Sequence, residues 1–150
     1  MIIAFTKVAS GIANIYARDA SASAEAKASF GDGTIYLERY IKNARHIEVQ
    51  FLGDGHTFLH LFERECSIQR RRQKIWEEAP ASCLTSMERK RVCEMAIKLA
   101  SHVNYRGVGT VEFLYDNDRK TFYFIEVNTR IQVEHPTTEF ITGLDIVELM

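Results

Sequence analysis

Ten consecutive residues hold most of the chemistry in this sequence: Glu126-Val127-Asn128-Thr129-Arg130-Ile131-Gln132-Val133-Glu134-His135. In extended chain, alternate side chains point to opposite faces. One set is then Glu126, Asn128, Arg130, Gln132 and Glu134; the other is Val127, Thr129, Ile131 and Val133. The polar set combines carboxylates, amides and a guanidinium, groups that together can hold a cation, an oxyanion and a proton. The same alternation also describes any half-exposed strand, so the pattern alone leaves a solvated face open.

A second acid gives the row a partner. Thr110–Tyr115 and Thr121–Asn128 read as the strands of a hairpin. If Glu112 faces Glu126, then Asn117 faces Thr121, and Asp118–Lys120 is an allowed three-residue loop. The two carboxylates would stand roughly 5 Å apart at Cβ, which is destabilising unless a proton or a cation lies between them. Asn128 follows one pleat along the same face. Two carboxylates and an amide oxygen suit Mg²⁺ or Mn²⁺. In another register the acids merely flank a surface hairpin. The segment Glu63-Arg64-Glu65-Cys66-Ser67-Ile68-Gln69-Arg70-Arg71-Arg72-Gln73-Lys74 reads either as a solvated charge run or as a clamp for an oxyanion. His46 heads an alternating strand, where a lone histidine is ordinarily structural, and Trp76 is packing or a cap on a groove. There is no Walker A pattern and no G-x-G-x-x-G, so neither a P-loop nor a Rossmann site is indicated.

The elements that must position these groups follow from periodicity. A helix is expected around Asp19–Phe30, broken by Gly31-Asp32-Gly33, with a short strand at Thr34–Leu37. His46–Leu52 alternates, and Gly53-Asp54-Gly55 turns it into Thr57–Phe62 as a hairpin. Glu63–Ala81, polar and Arg-dense, is expected to be irregular. Thr85 with Glu88 forms a capping box. The helix that follows carries Val92, Met95, Ala96, Leu99 and Val103 on one face and should end near Asn104. A last helix is expected from about Leu144.

Bulk composition bounds the function. The 150 residues make about one domain, 46% hydrophobic and 26% charged, enough to bury a core. A net charge of −1 argues against nucleic acid as a partner. Cys66, Cys83 and Cys93 have no C-x-x-C spacing, which points to reduced thiols and no zinc site. No apolar run approaches a membrane span, and no secretory signal is visible, so a cytoplasmic location is expected, or the mitochondrial matrix in a eukaryote. The chain stops within an apolar run at Met150 and is expected to be a fragment.

Six linked stretches then resemble one family. These are Tyr36-Leu37-Glu38-Arg39-Tyr40-Ile41, Arg45-His46-Ile47-Glu48-Val49-Gln50, Glu65-Cys66-Ser67-Ile68-Gln69-Arg70-Arg71 with Gln73-Lys74, Glu77-Glu78-Ala79-Pro80, Gly109-Thr110-Val111-Glu112-Phe113, and Phe124 through Pro136. In order and spacing they resemble biotin carboxylase, the ATP-grasp component of biotin-dependent carboxylases, from about Ser21 to Met150. The last stretch is more like acyl-CoA carboxylases than pyruvate carboxylase. The resemblance implies phosphorylation of bicarbonate by ATP to carboxyphosphate, then transfer of the carboxyl group to N1′ of biotin. By motif position it implies that Glu112, Glu126 and Asn128 hold the metal, Mg²⁺ or Mn²⁺. Lys74, Arg130, Gln132, the backbone of Val133 and Glu134 would hold bicarbonate. Glu134 would be the general base beside the charge of Arg130, with Arg130 and Lys74 sharing the catalytic role. Glu38, Tyr40, Ile41, His46 and Gln69 would lie at ATP. A biotin carrier domain, a carboxyltransferase and a homodimer belong to the implied complete enzyme. At Arg72 the sequence departs from the family's His or Asn, and Met1–Ala20 does not resemble the family's glycine-rich lid.

The expected fold is therefore α+β: an antiparallel sheet with one long helix packed on it and a shorter helix at each end, forming the C-terminal half of an ATP-grasp module. Residues 1–20 form an unmatched segment and residues 21–150 a partial biotin carboxylase domain, expected to be inactive as an isolated chain. Another ATP-grasp ligase, or a non-catalytic remnant acting as an interaction module, are the alternatives.

Overall fold

A computed structural model describes residues 27–29, 31–32, 34, 40–71 and 73–150. They belong to two units, Met1–Lys42 and Asn43–Met150. In the first, Lys27–Ser29 are helical, and the amide of Gly31 closes on the carbonyl of Lys27 at 3.0 Å, with Gly31 at φ +77°. Asp32 accepts from both the amide and the hydroxyl of Thr34. The remainder of the expected Asp19–Phe30 helix and of the Thr34–Leu37 strand lies outside the described residues.

The second unit is a five-stranded, fully antiparallel sheet. Its strands are β1 (Ala44–Asp54), β2 (Phe58–Arg70), β3 (Gln73–Glu78), β4 (Arg106–Asp116) and β5 (Thr121–Asn128), in the order β3-β2-β1-β4-β5. Helix α1 (Ser86–His102) joins β3 to β4, and α2 (His135–Thr142) follows β5. The expected capping box is present: Thr85 accepts from the amide of Glu88, whose carboxylate returns a bond to the amide of Thr85. The helix ends at His102, and Asn104 takes a left-handed φ of +50°.

Three sequence expectations give way here. Glu63–Ala81 is not irregular, because β2 runs on to Arg70 and β3 returns from Gln73. Arg and Gln side chains tolerate a strand whose other face is solvated, and Arg71 supplies the positive φ, +52°, that the tight turn needs. The last helix begins at His135 rather than near Leu144 and ends at Gly143, which at φ +71° provides the left-handed C-cap. Pro136 opens it, because its missing N–H costs nothing in a first turn. Finally, the chain is extended only as far as Asn128; Gln132 and Glu134 leave the strand line in the turn before α2.

Both faces of the sheet are buried. On one, Ile47, Val49, Phe51, Val111, Phe113, Tyr115 and Phe122 pack against Val92, Cys93, Ala96 and Ala100 of α1. Gly109 is required there, since a Cβ would sit 2.5 Å from the Phe51 ring. The other face carries His46, Glu48, Gln50, Arg64, Thr110 and Glu112, all buried. Beyond them is a small apolar patch of Leu61, Val108 and Ile146, against which Leu52 and Ile131 pack.

Two bulges decide which side chains reach which face. Between β1 and β2, Val49 pairs Glu63 but Phe51 pairs His60, so Leu61 and Phe62 share one position. Phe62 absorbs the extra residue at φ +64°. Between β4 and β5, Glu112 pairs Glu126 as expected, but Phe113 pairs Phe124, leaving Ile125 extra. The expected Asn117–Thr121 pair is therefore replaced by Asp116–Thr121. This second bulge lets Phe122 and Phe124 serve the apolar face while Glu126 and Asn128, on the same strand, serve the polar one.

Candidate active site

The polar face gathers its side chains around Lys74. Lys74 follows the β2–β3 turn, paired with Gln69, and its ammonium reaches back over the sheet to Glu48 on β1. It also meets Glu112 Oε1 on β4 at 3.1 Å and Glu134 Oε1 at the N-terminus of α2 at 2.5 Å. Glu112 Oε1 additionally accepts from Asn128 and Gln132, both at 2.9 Å, and the Asn128 amide also donates to Glu126 at 3.2 Å. Below this layer, His46 Nε2 lies 3.1 Å from Glu48 and 2.8 Å from Glu112, and the Gln69 amide is 3.0 Å from His46 Nδ1.

The electrostatics are those of a concentrated anion set held by cations. Burial opposes charge on Glu48, yet its bond to His46 and the charges of Lys74 and Arg64 bring its carboxyl down to about 2. Burial likewise opposes protonation of His46, but its bonds to Glu112 and Glu48 raise it to about 9. Glu112 is also held below the ordinary carboxylate range: burial and Glu48 push it up, and His46 and Lys74 more than offset them. Lys74, although partly desolvated, is pushed above the usual lysine range by Glu48, Glu134 and Glu112. Cys66, buried beside these acids, is pushed well above the usual thiol range and is a packed, unreactive group.

The structure thus brings Lys74, Glu112, Glu126, Asn128, Gln132 and Glu134 into one bonded network, with His46 and Gln69 behind it. It leaves Arg130 and Val133 exposed at the rim. Arg130 donates to the carbonyl of Ile131 at 3.2 Å, and Val133 is 92% exposed. The cation against Glu134 is accordingly Lys74 rather than Arg130, because the chain leaves the strand line before it reaches Glu134. Tyr40 and Ile41 fall in the other unit, and Glu38 lies outside the described residues. Trp76 is exposed on the edge strand rather than packed.

Two residues of the network escape a reading of the sequence. Glu48 belongs to the polar set of an alternating strand, which reads as solvated, yet it is fully buried. Arg64 stands in a run of charges and is the largest fully buried side chain of the described residues. A signal was available for Glu48, whose stretch Arg45–Gln50 is one of those that resemble a family; for Arg64 only the bulge at Phe62 reveals the face.

The donor set suits a hard divalent cation. The carboxylates of Glu112 and Glu126 converge on the single nitrogen of Asn128, both within 3.2 Å, and turning that amide over presents its oxygen to the same place.

An antiparallel sheet that floors a cluster of metal-ligating carboxylates, an amide and a lysine is the build of an ATP-grasp domain. The chain belongs to the family described as the carbamoyl-phosphate synthase L chain, ATP binding domain, whose model matches residues 6–150. It is 58% identical over 129 residues to the mitochondrial propionyl-CoA carboxylase alpha chain of Sus scrofa, covering 85% of this chain and 18% of that protein. It is 55% identical over 127 residues to the pyruvate carboxylase of Aspergillus niger, covering 84% and 11%. Its structure is similar to a biotin carboxylase–βγ-ATP complex from Campylobacter jejuni, with a TM-score of 0.79 and 53% identity over 87% of this chain and 29% of that one. It is also similar to the biotin carboxylase domain of the Hydrogenobacter thermophilus 2-oxoglutarate carboxylase in complex with MgADP, ADP and bicarbonate. There the TM-score is 0.77 and the identity 50%, over 87% and 29%. The chain therefore spans less than a fifth of the length of these two curated relatives.

Proposed function

We propose that this chain forms the metal- and bicarbonate-holding floor of a biotin carboxylase, which carboxylates biotin with bicarbonate and ATP by way of carboxyphosphate. The observation that carries this reading is the position of Lys74. Its ammonium joins Glu112, on the metal side, to Glu134, on the other, so one cation borders both half-sites. An oxyanion entering beside Lys74 gains its charge and brings its own proton within hydrogen-bond reach of Glu134.

Glu134 takes the bicarbonate proton. The freed oxygen attacks the γ-phosphorus of ATP, the bond from that phosphorus to the β-bridging oxygen breaks, and ADP leaves with the electron pair. Lys74 and Gln132 hold the bicarbonate, with Arg130 and the backbone of Val133 closing on it from the rim. Glu112, Glu126 and Asn128 would hold Mg²⁺ or Mn²⁺, which neutralises charge on the transferred phosphoryl group. Glu38, Tyr40, Ile41 and Gln69 serve the nucleotide. His46, buried between Glu48 and Glu112, acts on it through Glu112. The carboxyl group then passes to N1′ of biotin on a carrier domain, for use by a carboxyltransferase, in a homodimeric enzyme. No helix among the described residues is long and apolar enough to cross a membrane.

The reading is tested on the 150-residue chain with Mn²⁺ as both ligand and probe. Electron paramagnetic resonance should show Mn²⁺ binding that is lost in E112Q, and the bound ion should accelerate relaxation of ¹³C-bicarbonate. E134Q should keep the Mn²⁺ and lose the bicarbonate effect. Bicarbonate relaxation that is absent, or unchanged in E134Q, would overturn the assignment.

A further inference from the structure

We propose that Arg64 is the positioning residue that fixes Lys74 and Glu134 against each other, an inference that rests on the bicarbonate-site reading above. Arg64 touches none of the groups assigned to metal or bicarbonate, yet its guanidinium is fully buried and reaches out in two directions. In one, Nη2 donates to Glu48 Oε2 at 3.2 Å, and the other oxygen of Glu48 meets the ammonium of Lys74. In the other, Nη1 donates to the hydroxyl of Thr138 at 2.7 Å. Thr138 lies four residues after Glu134, one turn along the same helix face. Arg64 therefore holds Lys74 through a carboxylate and Glu134 through a helix, and these are the two groups that stand 2.5 Å apart where bicarbonate is placed.

The anchor itself is rigid. The same Nη1 donates to Gln50 Oε1 at 2.9 Å, and Gln50 donates to the carbonyl of Gly109 at 2.9 Å. Arg64 is thus tied to β1 and, through Gln50, to β4, and α2 hangs from that frame. Lysine cannot replace it: one ammonium on a flexible stem does not span Glu48 and Thr138 at once, whereas a planar guanidinium presents several donors in a fixed fork. Around metal sites, a hydrogen-bonding partner that orients a ligand is typically worth about 10–100-fold in affinity or activity, and the same orienting role is assigned to Arg64 for Lys74 and Glu134. An arginine that only filled the interior would move fold stability and metal binding together.

The experiment separates those outcomes on the 150-residue chain, with Mn²⁺ and ¹³C-bicarbonate as probes and far-UV circular dichroism as the check on folding. T138V keeps the shape of the side chain and removes the hydroxyl. It should leave Mn²⁺ affinity unchanged and weaken bicarbonate about tenfold. T138S, which retains the hydroxyl, should restore bicarbonate. R64K should show the same selective loss as T138V although it keeps the charge. If T138V and R64K both hold bicarbonate as tightly as the parent chain, the proposal is wrong. It is equally wrong if Mn²⁺ and bicarbonate are lost in parallel, since that marks a structural role alone. If the parent chain gives no Mn²⁺-dependent bicarbonate relaxation, the site assignment fails and this inference fails with it. Should R64K not fold, the Thr138 pair decides the matter.

Discussion

Both faces of this sheet are buried, and they are held by different means. The α1 face is closed mainly by apolar contact between Ile47, Val49, Phe51, Val111 and Phe113 and the helix, with one buried acid, Glu63, paired to Arg89 of α1 at 2.6 Å. The α2 face buries Glu48, Arg64, Glu112 and Glu134, which must be paired to be tolerated at all. The first face accounts for stability. The second spends part of it to hold charges in fixed places, which is what a site for an anion, a metal and a proton needs. Burial by itself therefore does not distinguish core from site; the partners of the buried atoms do.

The sharpest way to break the apolar side is Phe113, which makes edge-to-face contacts with Phe122 and Phe124 at 6.2 and 6.4 Å between centroids. F113A should cost about 4 kcal/mol of unfolding free energy, measured by urea titration, without selective loss of Mn²⁺. The polar side is broken next. R64M leaves Glu48 with His46 and Lys74 but without its guanidinium and should cost about 3 kcal/mol, whereas R64M with E48M should recover most of that loss, because His46 and Lys74 keep Glu112 and Glu134 as partners. If the double variant is no more stable than the single one, the charged face is not held by the pairing of its buried groups. The smallest effect tests the place where the apolar face meets charge. The Tyr115 hydroxyl donates to Glu88 in the first turn of α1 and is the main reason that carboxyl lies at about 2 instead of 4.5. A lowered folded-state value gives stability that is complete above pH 4.5 and lost as pH falls toward about 2. In Y115F that acid-side loss should be shallower, read from urea midpoints across the same pH range; parallel curves for the two proteins would remove Tyr115 from the role.

Local signals carried much of this in the sequence. The Gly53-Asp54-Gly55 turn, the Thr85–Glu88 box and the facing of Glu112 and Glu126 all depend on residues close in the chain or on one hairpin, and all three appear in the structure. What failed depended on distance. Glu48 reads as a solvated position because Arg64 and Lys74, whose side chains close over it, come from other strands. The row from Glu126 to Glu134 has a period of two, but nothing in that pattern marks Asn128 as the last paired residue. Gln132 and Glu134 still reach the site, because the patch of Ile131, Ile146 and Leu61 pins the turn that carries them. The chemistry was legible in the residue types, and the route by which the backbone delivers them was not.

The bulges at Phe62 and Ile125 carry a consequence for how this chain tolerates change in length. Most loops absorb an added or lost residue with little effect, and here the turns at Gly53–Thr57 and Asn117–Lys120 should do so. Within β2 and β5 the bulge absorbs a spare residue, so that the side chains on either side of it keep their proper compartments. Deleting Phe62 would leave Leu61 opposite Gln50, Glu63 opposite Val49 and Arg64 opposite Glu48, so each of these side chains would keep its face. At these two points, as in the turns, the chain can lose a residue without turning its neighbours over, because the strand there carries one more than the ladder uses.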